Sequence, residues 1–517
     1  MPRLLRLLPA AALVALAAPP AAAQTPPGRL DPMFSTDGVA FGTVADSEAR
    51  DVIVDADGLV TIAGTFEQAC GTGTAGFVAR YTADGEPLAS FGQNGVVRFA
   101  DDCNADTEAD RIVALPDGSF LLVGESDVLG EEVQRVLPTG AATCRTSLGF
   151  GVLTGGAAAT PEGDVVVATT RLVGGGPSGV TKIDVHYGTG ACPVATEFGT
   201  DGTADFALLG LGSVEMGDVA VQPDGRIVAT GGNAAGAFVA RLTPAGARDP
   251  FFGPNGVGFT VGSGEARFAT SVATGPTGDI VVAGSEQVAG SQDQWYVQRF
   301  RFDGIPDVAF SDDSVVLFPP GSGLSGGVTG LTIDDDNQVV LVGRAVAVTP
   351  AGATRSWAIA RLSPDGRFDA PFGQDGITVE RPFGLQGELA AVTFQPGGNP
   401  IVAGYVSLPT GGDVWAVARY EGKAPVAAEA APLAAGTRLA VAPNPAASRA
   451  TLTVEQREAG ALRVALVDAL GREVAVVHDG ALAAGTHRLA LPLGALAPGV
   501  YAVRADGVAP ARVVVAR

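Results

Sequence analysis

The chain has 517 residues, 55 of them acidic and 33 basic, with only three histidines and a formal net charge of −22. A surface of this sign repels nucleic acid and anionic membranes, which argues against DNA or RNA as a partner. The 72 glycines and the 46% hydrophobic content suit many short strands joined by tight turns. We therefore expect an all-β protein.

The N-terminus has the pattern of a secretory signal. Arg3 and Arg6 precede an apolar run over residues 7–18, which is too short to span a bilayer comfortably. Three alanines at positions 21–23 then fit a cleavage site of the A-x-A type. The sequence predicts a signal peptide over 1–23, a mature chain from about residue 24, and no transmembrane segment in that mature chain.

The four cysteines lie in the first half of the chain without a C-x-x-C spacing, which argues against a thiolate zinc site. In an exported protein they are better explained as two disulfides. Of the three possible connectivities, Cys70–Cys103 with Cys144–Cys192 is the least demanding.

An internal repeat dominates the middle of the chain. Its first signature is an aromatic turn of the type Phe-Gly-x-Asp-Gly, which begins at Phe34, Phe91, Phe198, Phe252, Phe310 and Phe372, with a degenerate copy at Phe150. The second is a turn such as Asp224-Gly225 that leads into an apolar strand. The third is a strand centred on a basic residue, found at Arg80, Arg135, Lys182, Arg241, Arg299, Arg361 and Arg419.

Aligning these signatures gives seven units, each of which divides into about four strand-length pieces. Four-stranded sheets repeated around an axis are typical of a propeller, in which each sheet is buried on both faces. We predict a seven-unit β-propeller with four-stranded blades over residues 24–422. An open solenoid is the alternative, because sequence alone does not show that a ring closes.

The repeat motifs resemble the delta-60 repeat family, best in the unit that spans residues 198–246. The resemblance covers about 390 residues. It implies a β-propeller-like repeat protein of bacterial surfaces, and it brings no catalytic residues with it.

The repeats stop after Tyr420. An Ala/Pro-rich linker follows over 423–437. A second domain over 438–517 contains nine arginines, six acidic residues and six short predicted strands separated by turn residues. We expect a small Ig-like β-sandwich there.

This second domain resembles the type IX secretion system C-terminal sorting domain, type A. The matching positions are Pro443, Asn444, Pro445, Asp468, Gly471, Arg472, Pro498, Gly499 and Tyr501. The resemblance implies that residues 438–517 contact the type IX secretion machinery and direct passage across the outer membrane. It also implies that the domain is then removed, or the protein attached to surface lipopolysaccharide.

Few residues point to chemistry. The repeats contain one histidine, His186, and no G-x-S-x-G, P-loop or H-E-x-x-H motif, so we predict no catalytic residues and no cofactor. Calcium is the one ion considered, because carboxylates cluster in predicted loops at Asp55, Asp57, Asp334 and Asp336. None of these loops completes an EF-hand spacing.

Two repeated features have both structural and functional explanations. Trp295, Trp357 and Trp415 each stand four residues before the repeat's arginine, where they could form a sugar platform or anchor a strand, and anchoring is favoured. The repeated basic residue is expected to pair with a turn aspartate or with backbone carbonyls.

The sequence thus favours a secreted or cell-surface repeat protein that acts as a binding or adhesion module. Its expected partner is an extracellular polysaccharide or protein. The alternative is an extracellular hydrolase, carbohydrate-active or other, with carboxylates at one mouth of the propeller.

Overall fold

The computed structural model describes two compact units, Met1–Ala424 and Pro425–Arg517. The residues it describes are those outside 1–25, 36, 43, 45, 69–72, 100–105, 173–177, 186–191, 208–209, 234–235, 260–266, 277, 287–292, 351, 423–437, 443–445, 447–448, 457–459, 468–472, 495, 497–498, 506–507 and 516–517. The predicted signal peptide and the predicted linker therefore lie outside the described residues.

The described part of the first unit forms seven four-stranded antiparallel sheets. Sheet 1 consists of β2 (Ser47–Val54), β3 (Val60–Glu67), β4 (Thr74–Tyr81) and β5 (Val96–Phe99). Sheet 2 consists of β6 (Arg111–Ala114), β7 (Phe120–Ser126), β8 (Gly130–Val136) and β9 (Ala142–Gly149). Sheet 3 consists of β10 (Val152–Ala159), β11 (Val165–Arg171), β12 (Gly179–Ile183) and β13 (Thr203–Asp205). Sheets 4 and 5 consist of β14 (Glu215–Val221), β15 (Ile227–Asn233), β16 (Gly236–Leu242) and β17 (Val257–Phe259); and β18 (Arg267–Thr274), β19 (Ile280–Glu286), β20 (Gln294–Phe300) and β21 (Val315–Phe318).

Sheets 6 and 7 complete the set. They consist of β22 (Val328–Ile333), β23 (Val339–Thr349), β24 (Gly352–Leu362) and β25 (Ile377–Glu380); and β26 (Gln386–Phe394), β27 (Pro400–Ser407), β28 (Asp413–Arg419) and β1 (Val39–Phe41). Two short 3-10 turns lie at Pro254–Gly256 and Pro382–Gly384. The predicted all-β fold with four-stranded sheets is confirmed, and the sheets form a β-propeller.

The two middle strands of each sheet explain the apolar sequence pattern. In β3, seven consecutive residues are buried, and β4 is buried from its second residue to its end. Strands alternate between two faces, so a continuous run of burial means that both faces are covered by neighbouring sheets. Val, Ile and Ala fill these positions because they pack well on a pleated surface.

The repeat unit of the sequence is offset from the sheet by one strand. In sheet 1 the fourth strand, β5, follows the aromatic turn of the next repeat, and its Val97 lies opposite Val78 of β4. Sheets 3 to 6 are completed in the same way, and β1 completes sheet 7 by pairing with β28. The structural blade therefore begins one strand later than the sequence repeat that starts at the aromatic turn. Sharing the strand ties each sheet to the next.

Sheet 2 is the exception, and it shows that the predicted seventh aromatic turn, at Phe150, is wrong. Its fourth strand, β9, pairs with β8 across the short turn at 137–141, so no aromatic turn intervenes. Phe150 is 63% exposed, whereas the six other aromatic-turn phenylalanines are at most 1% exposed. Phe150 is therefore not an equivalent of those anchors.

The inner strands close a ring. Each of β2, β6, β10, β14, β18, β22 and β26 contacts the next, and β26 contacts β2. The N-terminal segment joins the two ends: the N–H of Gly28 donates to the carbonyl of Glu421 at 2.8 Å, and that of Asp31 donates to Arg419 at 2.8 Å. These contacts support ring closure over an open solenoid.

The repeated basic residue forms an ion pair in each sheet, as expected. In the last four sheets its partner is an aspartate before the aromatic turn: Arg241–Asp249, Arg299–Asp307, Arg361–Asp369 and Arg419–Asp31. In the first three the partner lies in the glycine turn: Arg80–Asp55, Arg135–Asp117 and Lys182–Asp164. Arg241 also lies over the ring of Phe252, 4.7 Å from its centroid, so the pair fixes the aromatic turn against the strand.

The second unit forms two sheets around a core of its own. One contains β29 (Arg438–Ala442), β30 (Ala450–Gln456) and β33 (Gly485–Leu491). The other contains β32 (Glu473–Leu482), β31 (Gly460–Val467), β34 (Gly499–Ala505) and β35 (Val508–Val515). The six predicted strands are present, and β29 is an additional one. Leu452, Val464 and Val503 are fully buried between the sheets.

One predicted disulfide is present. Cys144 and Cys192 are bonded, with their Cα atoms 5.6 Å apart and a separation of 48 positions in sequence. Both are buried in the core of sheets 2 and 3. Cys70 and Cys103 lie outside the described residues, so their pairing stays a prediction.

Removing this disulfide should lower stability. A cross-link that closes a loop of this length restricts the unfolded chain, so we expect Cys144→Ala/Cys192→Ala to lose about 3–4 kcal/mol of unfolding free energy. Chemical denaturation of the wild type and of the double variant, each with and without reductant, measures the loss. Equal midpoints for the oxidised wild type and the double variant would contradict the prediction.

Candidate functional site

The inner strands surround a channel with cavities at its two mouths and at its waist. The first mouth holds a cavity of about 480 Å³, the waist about 220 Å³ and the opposite mouth about 420 Å³. The first mouth cavity is lined by residues from all seven inner strands. A concavity of this size, formed by every sheet, is where a propeller binds a ligand most readily.

A β-bulge in the inner strands shapes the waist. The register with the second strand shifts at one point in six of them, next to Arg50, Gly155–Gly156, Gly217, Thr270, Thr329 and Ala390. A bulge adds an unpaired residue and re-aims its side chain. These residues line the mouth, and several also line the waist.

Side chains at the bulges connect neighbouring sheets. The hydroxyl of Thr270 donates to the carbonyl of Val328 at 3.0 Å, and that of Thr329 donates to Leu389 at 2.6 Å. The guanidinium of Arg111 donates to the carbonyl of Gly155 from both Nε and Nη2. The channel wall is thus held by hydrogen bonds between sheets and is preorganised.

One sector of the channel is charged. Arg50 Nη1 lies 3.0 Å from Asp110 Oδ1 and 3.4 Å from Glu108 Oε2, so two carboxylates share one guanidinium. Burial lowers the pKa of Arg50, but Asp110, Glu108 and Glu48 together raise it more, so the pKa lies above its ordinary value. The other sheets present only glycine, threonine and alanine at the corresponding bulges, so Arg50 is the charged side chain among the bulge residues.

Two carboxylates join the inner strands at the waist. Asp218 accepts hydrogen bonds from the backbone N–H of Val219 at 2.8 Å and of Val272 at 2.9 Å, the latter on the next sheet. Asp51 accepts in the same way from Val52 and Ile112. Loss of hydration raises the pKa of Asp218 to about 6, and it also raises the pKa of Asp51.

Glu131 is a carboxyl buried behind the charged sector. It is 2% exposed, and it accepts a hydrogen bond from the hydroxyl of Thr154. Burial raises its pKa to about 8, and the nearby carboxylates Asp110 and Glu125 add to the rise. Glu131 is therefore protonated in the folded protein at neutral pH.

The buried carboxyl of Glu131 should make the stability of the protein depend on pH. Its folded-state pKa lies above the unfolded value of about 4.3, so the folded state binds the extra proton and stability should fall as pH rises from about 4.5 to 8. Glu131→Gln should remove roughly 2–4 kcal/mol of that fall while matching the wild type near pH 4.5. Urea unfolding at several pH values measures it, with the exposed Glu86→Gln as control; a wild-type slope that persists in Glu131→Gln would contradict the assignment.

The first mouth combines apolar and acidic side chains. Leu153 is 44% exposed there, and Phe268 and Tyr405 line the same cavity. Glu388 forms ion pairs with Arg355 at 2.9 Å and Arg344 at 3.5 Å, both on the eleven-residue strands β23 and β24. Burial raises the pKa of Tyr405 to about 12, so its hydroxyl remains a hydrogen-bond donor at the mouth.

A side pocket of about 310 Å³ adjoins this mouth. It shares Glu48 and Arg50 with the mouth cavity, and its wall also contains Asp46, Glu67 and Asp413. Those three carboxylates and Glu48 form no ion pair with any described residue. This end of the channel therefore carries four carboxylates without an ion-pair partner among the described residues.

The calcium candidates do not come together. Asp55 and Asp334 lie in turns of sheets 1 and 6, where each accepts backbone N–H groups two and four residues ahead. Asp55 also accepts from Arg80 at 2.6 Å. Asp57 and Asp336 are neighbours in the same turns, and within the described part of the chain no three acidic, histidine or cysteine side chains group as a metal site.

The tryptophans anchor strands and form no platform. Trp295, Trp357 and Trp415 are at most 1% exposed. The indole N–H of Trp415 donates to the Tyr81 hydroxyl at 2.8 Å, and that of Trp357 donates to the carbonyl of Tyr405 at 3.0 Å. The tryptophans therefore offer no face to a sugar.

Most of the predicted sorting motif lies outside the described residues. This applies to Pro443, Asn444, Pro445, Asp468, Gly471, Arg472 and Pro498, and His186 of the repeats lies outside them as well. Gly499 and Tyr501 belong to β34, and Tyr501 packs against the core of the second unit. No helix of the described residues is long and apolar enough to cross a membrane.

Sequence reasoning missed the channel residues. Arg50, Asp110 and Arg111 were not singled out, because a strand position that faces an axis has no local signature. A signal was nevertheless present in the repeat alignment. In the first two units, charged residues such as Arg50 and Asp110 stand in or just before the inner strand, where other units have small residues such as Gly217 and Thr270. Such a departure from an internal repeat marks a position that packing alone does not explain.

Three comparisons relate the chain to known proteins. Residues 56–91 match a family model described as a domain of unknown function (DUF5122) beta-propeller. No curated protein matches the chain. Among solved structures, the chain is similar to a protein of unknown function from Dyadobacter fermentans, with 13% identity, 75% of this chain and 100% of that chain covered, and a TM-score of 0.38.

Two other solved structures are similar at the same level. Sqt1 from Chaetomium thermophilum has 12% identity, with 74% of this chain and 98% of that chain covered and a TM-score of 0.41. An endo-arabinase from Bacteroides thetaiotaomicron has 11% identity, with 59% and 90% covered and a TM-score of 0.31.

Proposed function

We propose that this chain is an extracellular binding module whose ligand occupies the first mouth of the propeller channel. The observation that supports this most directly is the 480 Å³ cavity, to which every inner strand contributes a lining residue. Its wall is preorganised by hydrogen bonds between sheets, so binding orders few side chains. The ligand is an extracellular polysaccharide or protein.

The export route is part of the same proposal. The predicted signal over 1–23 directs the chain to the periplasm, and residues 438–517 direct it through the type IX machinery to the cell surface. The sorting motifs of the sequence support this. Deleting 438–517 should retain the propeller in the periplasm, as fractionation and surface proteolysis would report; unchanged surface delivery would overturn the route.

A capture experiment tests the site. The purified mature chain is incubated with insoluble polysaccharides and cell envelopes, and retained protein is measured together with released soluble product. Ala390→Trp fills the mouth from a bulge position that lines both mouth and waist. Val308→Trp, at a 70% exposed side chain just before an aromatic turn, is the matched control.

We expect the mouth variant to lose at least tenfold in retention, which is about 1.4 kcal/mol of binding free energy, and the control to bind as the wild type does. Equal retention of both variants would show that the ligand does not use the mouth.

A hydrolase is the second candidate. The observation in its favour is that the channel sector holds Asp110 and Glu108 beside Arg50, with Glu131, whose pKa burial raises to about 8, behind them, and paired carboxyl groups carry out acid–base catalysis in glycoside hydrolysis. Against it, Glu131 does not line the mouth cavity. Release of soluble product that Asp110→Asn abolishes, while retention persists, would establish the enzyme in place of the binding module.

A further inference from the structure

We infer that the ligand of the first mouth is a basic, partly apolar peptide segment of a protein partner, and that one of its lysine or arginine side chains enters the side pocket. This inference rests on the proposed function and specifies its ligand. The described charges, the apolar wall and one uncompensated hydroxyl support it.

The cations at the mouth already take part in ion pairs or, for Arg111, in hydrogen bonds to backbone carbonyls. Arg50 contacts Glu108 and Asp110, and Arg344 and Arg355 both contact Glu388. Arg111 donates to the backbone carbonyl of Gly155. An anionic ligand would have to break these contacts before it gained its own.

Four carboxylates of the side pocket, by contrast, have no ion-pair partner among the described residues. Asp46, Glu48, Glu67 and Asp413 line the pocket or its rim and form no ion pair with a described residue. Four like charges around one cavity repel one another, and a cation placed between them relieves that repulsion. The pocket therefore favours an ammonium or guanidinium group.

The side pocket also contains an unpaired polar group. Thr65 is 6% exposed and lines the pocket, and its hydroxyl has no hydrogen-bond partner among the described residues. An N–H donor entering the pocket would give Thr65 the partner that it lacks.

The mouth beside the pocket requires apolar contacts. Leu153, Phe268 and Tyr405 present apolar surface, and an isolated small cation would leave it uncovered. A sugar chain fits less well, because the tryptophans that could stack on sugar rings are buried. A peptide with alternating basic and apolar side chains satisfies both the pocket and the wall.

Three synthetic probes test the inference on the full mature chain. They are a nine-residue peptide of alternating leucine and lysine, the same peptide with acetylated lysines, and its leucine–glutamate counterpart. Fluorescence anisotropy at two salt concentrations measures binding. We expect the lysine peptide to bind, the acetylated peptide to bind at least tenfold more weakly, and the glutamate peptide not to bind.

A matched pair of variants locates the site. Glu48→Gln/Glu67→Gln removes two pocket carboxylates and should weaken the lysine peptide about tenfold. Asp57→Asn/Asp335→Asn removes two exposed carboxylates in the turns before β3 and β23, outside the side pocket, changes the net charge equally, and should bind within twofold of the wild type. Equal weakening by both pairs, or equal binding of the acetylated peptide, would overturn the inference.

The outcome separates this inference from the proposed function. If Ala390→Trp abolishes capture of a polysaccharide while the lysine peptide does not bind, the binding module stands and the peptide ligand is wrong. If Ala390→Trp changes the capture of no ligand, both are wrong.

Discussion

Trp415→Ala is expected to lower the free energy of unfolding by about 3–5 kcal/mol, the usual loss for truncating a buried tryptophan. Trp415 is 1% exposed and lies between sheets 7 and 1, where its ring stacks on Phe77 with centroids 4.2 Å apart. Its indole N–H donates to the Tyr81 hydroxyl at 2.8 Å. The truncation would leave a cavity and a buried hydroxyl without its donor, at the junction where the ring closes.

The three tryptophans provide an internal control for this result. Trp295 is equally buried, but its indole N–H has no hydrogen-bond partner among the described residues. Trp→Phe keeps most of the packing and removes the N–H, so Trp415→Phe should lose about 1–2 kcal/mol more than Trp295→Phe. Urea titrations of both variants measure the difference, and equal losses would show that the Tyr81 contact contributes nothing.

The propeller was predictable because its turns have a more specific sequence pattern than its strands. The aromatic turns require positive φ at glycines such as Gly95 and Gly202, with φ of 87° and 88°, and these positions recur at the blade spacing. The repeated arginine and its aspartate were predictable as a pair for the same reason. Local geometry repeated several times is visible in sequence even when each copy is degenerate.

The boundary between sheets was not predictable. A strand after an aromatic turn has the same sequence pattern whether it pairs with the preceding or the following strand, because both positions are half-buried edges. Only ring closure decides which strand it pairs with, because β1 at the start of the ring pairs with β28 at its end. Pairing across the whole chain is a property of the ring, and no single repeat contains it.

The candidate site was harder still to predict. Each inner strand contributes one or two residues to the channel, and residues separated by about one repeat meet only after closure: Arg50 reaches Asp110, 60 positions away. Bulges at these points add a residue without a turn signal. The sequence therefore predicted the scaffold of the site and not the side chains that face it.

Asp31→Ala is expected to open the ring at its closure. Asp31 is 4% exposed, and its Oδ2 accepts from Arg419 Nε at 2.6 Å across 388 positions of sequence. Removing the carboxylate leaves buried Arg419 with only the exposed Asp84, at 3.9 Å, as a counter-charge, which costs about 3–5 kcal/mol. Because β1 is held to β28 by only three residue pairs, part of that loss should appear as local release of β1 before global unfolding.

Asp249→Ala is the matched control, since Asp249 pairs with the fully buried Arg241 only eight positions away. Both variants should lose similar global stability, but only Asp31→Ala should speed hydrogen exchange of the amides in 39–41, by about 100-fold. Exchange mass spectrometry and limited proteolysis after residue 42 measure the release. If β1 is equally protected in both variants, the N-terminal segment is held by its other contacts and Asp31 is an ordinary blade residue.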